Sequence, residues 1–421
     1  MTMNTQITTL NNGLRIITQE RPNLETISLG IWVKTGSACE NEANNGISHF
    51  LEHMSFKGTN SRTALQITEE IEDVGGQSNA YTSRECTAYY AKMMKEDAEL
   101  AADVLIDSVK NSIFPQEELI KERDVVVQEI KQTIDTPDDI VFDYFQEQAF
   151  PQQALGRSIL GPIEKVQNFT REDLLGYIKS NYAAENMVLC AVGNIKHTDF
   201  VNMVTARMAD YKAKVDFVAD KQIYKGGFCA SKRDIEQTHL LLGFKSCSYH
   251  DAKHCATVLL SAILGGGMSS RLFQEIREKR GLVYSVYSFN SMFSGNGLFG
   301  IYAGTEAKDV PDLMPVVVDE IKKVCNELVS EKEFERARMQ IKAGLKMGLE
   351  SSSSTAEVLA RQLLMYGRTY TIAELVEKYE AVSREDIRKA AMEIFASVPT
   401  YTLLGNYDRY VEYDELQKAL A

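Results

Sequence analysis

Residues 46–59 read Gly-Ile-Ser-His-Phe-Leu-Glu-His-Met-Ser-Phe-Lys-Gly-Thr. Within them His49 and His53 are four positions apart, so on an α-helix both imidazoles lie on one face, one turn apart. Glu52 falls on the same side. Two neutral imidazoles at this spacing can bind one zinc ion and leave room for a third ligand and a water molecule. A neighbouring carboxylate can take a proton from that water. The pattern therefore predicts a helical zinc site with Glu52 as general base.

The alternative is that the two histidines only pack or form hydrogen bonds. The chain has six His in total, and chance produces this arrangement with a probability of about 1%. H-x-x-E-H is also the order found in one class of zinc peptidases. The metal interpretation is therefore preferred.

The composition is that of an ordinary soluble globular protein, with 44% hydrophobic and 25% charged residues. A chain of 421 residues is too long for one typical core, which predicts two or more domains. The net charge of -13 argues against nucleic acid or an anionic membrane as the main partner. It suits basic ligands better.

Residues 1–10 show no basic segment followed by an apolar one, so no signal peptide is predicted, and no apolar run is long enough to span a bilayer. The seven Cys are scattered without C-x-x-C spacing, which indicates free thiols in a reducing compartment. We therefore expect a cytoplasmic protein.

Apolar periodicity and turn residues divide the first half of the chain into strands and helices. The predicted strands are 14–18, 27–33, 79–91 and 187–194, and the predicted helices are 46–56, 64–74, 97–112 and 117–133. The last of these helices contains Glu122 and Glu129. They are seven positions apart and share a face, although a carboxylate pair of this kind can also be merely solvated.

Three motifs of the first half recur 212 or 213 residues later, which indicates an internal duplication. The sequence therefore predicts an α+β protein of two homologous α/β domains, residues 1–215 and 216–421, each with a mixed, largely antiparallel sheet flanked by helices. The seam is expected between residues 211 and 232. The recurring pairs are Thr170-Arg171-Glu172-Asp173 with Ser383-Arg384-Glu385-Asp386, Glu122-Arg123 with Glu335-Arg336, and Gly193-Asn194 with Gly405-Asn406.

The second copy has no counterparts of His49, His53 and Glu129. Around the register of the two histidines it reads Val258-Leu259-Leu260-Ser261-Ala262-Ile263-Leu264, and around the register of Glu129 it has Ala343. One half is therefore expected to perform chemistry while the other helps to hold the substrate. The glycine run 265–267 is not followed by Gly-Lys-Ser/Thr, so it is interpreted as a turn and not as a phosphate site.

The chain resembles the pitrilysin-type (M16) zinc metallopeptidases over essentially its whole length, particularly the mitochondrial processing peptidase β-subunit and its short bacterial relatives. The most specific matches are 49–54 with 56–59, 79–82, 122–129 and 265–284. The resemblance implies Zn²⁺ as cofactor, bound by His49, His53 and Glu129, the last 76 positions beyond the second His. It implies that Glu52 is the catalytic base, and that Glu122 is not a ligand but orients one or tunes the site.

The resemblance also implies a substrate site. Arg277 and Tyr284 match a pair that holds the substrate backbone or stabilises the tetrahedral oxyanion. Asn79-Ala80-Tyr81 matches the edge strand on which the family lays its substrate by strand addition. The alternative for Arg277 and Tyr284 is an ordinary surface Arg and a packed Tyr. The alternative for residues 79–81 is an ordinary edge strand without substrate.

The expected function is that of a zinc metalloendopeptidase that hydrolyses peptides or extended unfolded segments, including basic, presequence-like ones. Because the family encloses substrate between two halves of this size, the resemblance implies a homodimer, with the Arg/Tyr pair reaching the zinc site of the partner chain. One alternative is a non-catalytic peptide-binding or scaffold subunit, against which the intact His49, Glu52, His53 and Glu129 set speaks. Another is an active subunit that needs an inactive partner chain.

Overall fold

The computed structural model of the protein describes residues 4–215 and 221–421, and these form two compact units. The described residues within Met1–Lys131, Ser158–Asp220 and Lys346–Tyr370 make up the first unit. Those within Gln132–Arg157, Lys221–Leu345 and Thr371–Ala421 make up the second. The predicted boundary between residues 215 and 216 adjoins residues 216–220, which lie outside the described residues, and it stays a prediction.

The first unit is built on a six-stranded sheet with the order β1-β2-β6-β3-β5-β4. The pair β2–β6 is parallel and every other neighbouring pair is antiparallel. The central strand β6 is buried along its whole length, which explains its continuous apolar run. The strands are β1 Thr5–Thr9, β2 Arg15–Glu20, β3 Thr26–Val33, β4 Gln77–Thr82, β5 Thr87–Met94 and β6 Met187–Gly193.

Eight α-helices accompany these strands in the described part of the first half of the chain. They are α1 Ile47–Met54, α2 Ala64–Glu72, α3 Ala98–Lys110, α4 Gln116–Asp135, α5 Pro137–Ala149, α6 Ile163–Val166, α7 Arg171–Asn181 and α8 His197–Met208. Thr170 and Asp173 form a reciprocal capping box at the start of α7.

The second unit is built on a five-stranded sheet with the order β7-β11-β8-β10-β9. Its pair β7–β11 is parallel and its other pairs are antiparallel, which repeats the pattern of β2-β6-β3-β5-β4 in the first sheet. The predicted fold class is therefore confirmed: both sheets are mixed, largely antiparallel and flanked by helices. The strands are β7 Gly227–Lys232, β8 Thr238–Ser246, β9 Val283–Met292, β10 Gly297–Thr305 and β11 Thr400–Gly405.

The second half of the chain contributes seven described α-helices and one π-helix, Phe273–Glu278. Ser383 and Asp386 form the same capping box at the start of α14 that Thr170 and Asp173 form at α7. The α-helices are α9 His254–Gly265, α10 Val310–Asn326, α11 Glu331–Gly348, α12 Ser352–Tyr366, α13 Ile372–Glu380, α14 Arg384–Phe395 and α15 Tyr413–Leu420.

Helix α12 comes from the second half of the chain but packs on β3 and β6 of the first unit. The alternation of β3 accounts for this. Ser28 and Trp32 project toward α12, where they contact Ser352 and Glu357, while Ile27, Leu29, Ile31 and Val33 belong to the apolar core of the unit. One strand therefore has a polar contact on one face and the core on the other.

Helix α5 comes from the first half of the chain and packs on β8 and β11 of the second unit. The approach is close, because a Cβ atom at Gly243 on β8 would lie 2.2 Å from the ring of Phe145. Each unit is thus completed by one helix from the other half of the chain. The duplication in the sequence does not reveal this exchange.

The single strand predicted over residues 79–91 is wrong. The segment forms the hairpin β4–β5, in which the amide and the hydroxyl group of Ser83 both donate to the carbonyl oxygen of Cys86, each at 2.8 Å. The Thr and Tyr residues on both sides resemble one continuous strand, and the polar turn Ser83-Arg84-Glu85 was the available signal. None of the described helices combines the length and the apolar character that crossing a membrane requires.

Candidate metal centre

Helix α1 holds three of the predicted site residues, and its start is set by a buried carboxylate. Glu40 accepts hydrogen bonds from the backbone N–H groups of Gly46 and Ser48, both at 2.8 Å. A carboxylate at this position satisfies free N–H groups and interacts favourably with the helix dipole. Gly46 has φ +96°, a conformation that favours glycine. No role for Glu40 is predicted from the sequence, although its position before the helix start was the available signal.

His49, His53 and Glu129 converge as the sequence predicts. The Nε2 atoms of the two histidines are 3.3 Å apart. Oε1 of Glu129 lies 3.5 Å from Nε2 of His49, and Oε2 of Glu129 lies 3.4 Å from Nε2 of His53. Tetrahedral zinc bonds of about 2.0–2.1 Å separate two ligand atoms by about 3.3–3.4 Å. The three side chains therefore fit a tetrahedral zinc ion. Within residues 4–215 and 221–421 no other group of three His, Cys, Asp or Glu side chains is arranged in this way.

Glu122 orients the second histidine. Its Oε1 accepts a hydrogen bond from Nδ1 of His53 at 2.8 Å, and its Oε2 receives the ammonium group of Lys57 at 2.7 Å. The proton assigned to Nδ1 leaves Nε2 with its lone pair directed at the cluster. Glu122 is only 4% exposed, so the alternative of a solvated carboxylate pair on α4 does not hold for it. Lys57 is a neighbour of the site to which the sequence assigned no role.

The electrostatics of the cluster favour a cation. Hydrogen bonds to His49 and His53 hold the pKa of Glu129 well below its ordinary value. Burial lowers the pKa of His53, but the hydrogen bonds to Glu122 and Glu129 outweigh this and raise the pKa to about 9. Carboxylates therefore surround these imidazoles with negative charge, which suits a divalent metal ion as well as a proton.

Glu52 lies on α1 between the two histidines. Its Oε2 atom is buried and has no hydrogen-bond partner among the described residues. Leaving a buried carboxylate oxygen unpaired costs free energy, and such atoms in a folded protein call for a functional explanation. The position suits a group that accepts a proton from a water molecule in the site.

The predicted substrate strand is β4, an edge strand that pairs only with β5 among the described strands. Asn79 is exposed and Ala80 and Tyr81 are half-buried on it. The strand packs beside α1, where the hydroxyl group of Thr82 lies 3.4 Å from the carbonyl oxygen of Ser48. An edge strand next to the metal helix offers unpaired backbone groups to an added strand.

Glu357 on α12 is a further residue of this region that the sequence did not single out. Its carboxylate accepts hydrogen bonds from the hydroxyl group of Tyr81 at 2.6 Å and from Nε1 of Trp32 at 2.7 Å. It therefore ties the edge strand β4 and the central strand β3 to one helix. No local pattern could reveal this contact, since the partners are 276 and 325 residues apart in the chain.

Arg277 and Tyr284 lie together in the second unit. The guanidinium carbon of Arg277 is 5.2 Å from the centroid of the Tyr284 ring and 4.9 Å from that of Phe273, so the cation lies against two aromatic rings. Arg277 belongs to the π-helix, a rare geometry that is frequent at functional sites. Tyr284 is 73% exposed. The predicted role of the pair in substrate contact stays a prediction.

Two family models match the chain. The model described as insulinase (peptidase family M16) matches residues 15–163, and the model described as peptidase M16 inactive domain matches residues 168–341. The first match contains the candidate metal centre. The second begins at residue 168, near the end of the first half, and falls mainly on the half without counterparts of His49, His53 and Glu129.

The chain is also similar to named relatives along nearly its whole length. It is 39% identical to an uncharacterized zinc protease of Rickettsia felis, over 97% of this chain and 99% of that protein. It is 34% identical to the mitochondrial-processing peptidase subunit beta of Blastocladiella emersonii, over 99% of this chain and 92% of that protein.

A protease from Helicobacter pylori has the same fold, with a TM-score of 0.89 at 22% identity, over 96% of this chain and 99% of that chain. The names of the sequence relatives are consistent with zinc as the metal at His49, His53 and Glu129. By both its family matches and its relatives, this chain belongs to peptidase family M16.

Proposed function

We propose that the protein is a zinc-dependent endopeptidase that hydrolyses peptides or extended, unfolded segments, with a preference for basic, presequence-like ones. The observation that carries the proposal is the cluster of two Nε2 atoms and a carboxylate within 4.8 Å of one another. Glu52 lies on the helix of the two histidines, and its buried Oε2 has no hydrogen-bond partner in the described chain. The net charge of -13 supports the preference for basic substrates.

The chemistry that a bound zinc ion supplies is Lewis acidity toward a carbonyl group and a water molecule. His49, His53 and Glu129 would hold the ion, and Glu122 keeps the His53 ring oriented. Glu52 accepts the proton of the attacking water and returns it to the leaving amine. The edge of β4 binds the substrate backbone as an additional strand, so selectivity comes from side-chain pockets.

The proposal includes a homodimer that encloses the substrate between two chains. In this arrangement Arg277 and Tyr284 stabilise the oxyanion at the zinc site of the partner chain. Support comes from their family resemblance and from the cation–ring contact that holds the pair together.

The first experiment is hydrolysis of a quenched fluorescent basic peptide by the purified protein, with metal content measured on the same samples. We expect about one zinc per chain, loss of cleavage with a chelator, and recovery on adding zinc. Glu52→Gln is expected to keep the zinc and to lose cleavage by at least about 100-fold, the usual contribution of a general base.

Glu117→Gln on the exposed side of α4 is the matched control and should cleave like the wild type. A wild type that binds zinc but cleaves no peptide favours the non-catalytic peptide-binding alternative, or the need for a second kind of chain. A wild type that binds no metal contradicts the assignment of the site.

A further inference from the structure

Lys57 lies three residues after α1 ends, and among the ion pairs of the described residues the one that links it to the metal centre is with Glu122. Its ammonium group is 2.7 Å from Oε2 of Glu122, while Oε1 of the same carboxylate holds Nδ1 of His53 at 2.8 Å. We infer that Lys57 is a positioning residue for zinc: it fixes the carboxylate that aims the His53 ring. The inference rests on the zinc centre proposed above.

The backbone on both sides of Lys57 is held in place. The carbonyl oxygen of Ser55 accepts a hydrogen bond from the hydroxyl group of Ser112 at 3.2 Å, and that of Gly58 accepts one from the amide of Ile113, also at 3.2 Å. Residues 112 and 113 lead directly into α4, which carries Glu122. The two partners of the ion pair are therefore anchored at one junction, and Lys57 does not depend on a mobile surface segment.

Burial makes the contact different from an ordinary surface ion pair. The side chain of Glu122 is 5% exposed, so water cannot replace a lost partner at Oε2. Without Lys57, one oxygen of the carboxylate is unpaired, and the carboxylate can rotate away from the direction in which it now accepts the proton of His53. The misdirected ring then binds zinc less well.

Removing the positive charge of Lys57 also has an effect that strengthens zinc binding, because a more negative site attracts zinc more strongly. This Coulomb effect is screened by solvent, since the Lys57 side chain is 30% exposed. The hydrogen bonds at the buried carboxylate are not screened in this way. The orienting effect is therefore expected to dominate, so that loss of Lys57 weakens zinc binding.

The test is the zinc dissociation constant, measured by competition with a chromophoric chelator. Lys57→Met and Lys57→Gln are both expected to raise this constant about 10-fold or more, which is the range found when residues that support a metal ligand are replaced. Lys57→Arg keeps a charged donor and should restore most of the affinity. In the background of Glu122→Gln, adding Lys57→Met should change the constant by less than about twofold, because its effect passes through Glu122.

Lys121→Met is the matched control, since it removes a lysine from an exposed ion pair with Glu118 on the same helix as Glu122. It should leave the constant unchanged, and a single cooperative thermal transition of each metal-free variant shows that the variants are folded. If the wild type binds zinc and the Lys57 variants bind it equally well or more tightly, the inference alone is overturned. The same holds if the change in the zinc dissociation constant of the double variant equals the product of the changes in the two single variants. A wild type without zinc overturns both the inference and the proposed function.

Discussion

Asp107 on α3 accepts hydrogen bonds from the loop that follows the metal helix. Its Oδ2 receives the hydroxyl groups of Thr59 and Ser61, both at 2.6 Å, and the guanidinium group of Arg62 at 2.9 Å. Its Oδ1 accepts a hydrogen bond from the side-chain amide of Asn111 at 2.8 Å. Burial raises the pKa of Asp107, but these hydrogen bonds together outweigh it and keep the pKa below its ordinary value.

Asp107→Asn should therefore lower the free energy of unfolding by about 1.5–3 kcal/mol at neutral pH, the value of hydrogen bonds to a charged group. A carboxylate whose pKa is lowered by folding stabilises the protein above its ordinary pKa, and this contribution is lost as the pH falls through the folded-state pKa. The difference between variant and wild type should stay constant from neutral pH down to the ordinary pKa of an aspartate, about 3.9, and shrink as the pH falls below it. Urea unfolding across this range measures it.

Asp124→Asn, an exposed carboxylate on α4, is the control and should unfold like the wild type at each pH. A difference between Asp107→Asn and wild type that stays constant with pH contradicts the assignment of the ionised carboxylate as the stabilising group.

At the scale of elements, α12 reinforces the edge of the first sheet. Glu357 holds the hydroxyl group of Tyr81 on β4 and the indole N–H of Trp32 on β3. Trp32 is 2% exposed, so this helix–sheet contact is largely shielded from water at β3. An edge strand that binds an added strand must keep its own register, and Glu357 contributes to this.

Glu357→Gln should make the backbone amides of β4 exchange with solvent about fivefold faster, the factor that corresponds to about 1 kcal/mol of lost hydrogen-bond strength. Hydrogen exchange followed by mass spectrometry measures the effect. The peptide that covers β1, the other edge of the sheet, is the internal control, and Glu350→Gln just before α12 is the matched variant. Uniform acceleration in both edge strands would indicate global destabilisation and contradict the specific role.

At the scale of the whole molecule, the two halves share one five-strand pattern, β2-β6-β3-β5-β4 in the first sheet and β7-β11-β8-β10-β9 in the second, but they carry different functional residues. The first half carries the candidate metal centre, while the second carries Arg277 and Tyr284 and matches the inactive domain of the family. If the proposed homodimer is correct, each catalytic centre combines residues from two chains. Its mass would be twice 47.2 kDa, which light scattering can check.

Mixing two inactive variants tests this arrangement. Glu52→Gln and Arg277→Ala are each expected to cleave poorly alone. When they are unfolded and refolded together in equal amounts, half of the dimers contain both chains, and one of their two sites has an intact Glu52 and an intact Arg277. Cleavage should then recover to about a quarter of the wild-type rate.

The control is each variant unfolded and refolded alone in the same way. No recovery in the mixed sample, with dimers present, would show that Arg277 acts on the zinc site of its own chain or on none.

Local patterns were enough to predict two candidate ligands and the candidate base, because His49, Glu52 and His53 lie on one short helix whose 3.6-residue period determines which side chains share a face. The second half could be predicted as a copy for a similar reason, since capping boxes such as Ser383/Asp386 are local signals. Family resemblance added Glu129, which lies 76 positions beyond His53, a separation that no local period spans.

Long-range contacts depended on the tertiary structure. Lys57 reaches Glu122 across 65 positions, and Glu357 reaches Trp32 across 325, because α4 and α12 pack where burial of apolar surface places them. The hydrogen-bond partners of a buried carboxylate are determined by that packing and not by neighbours in the chain. The amino-acid sequence by itself predicted the candidate ligands, the candidate base and the duplicated α/β plan. Only the folded chain decided which side chains orient them and which helix completes each unit.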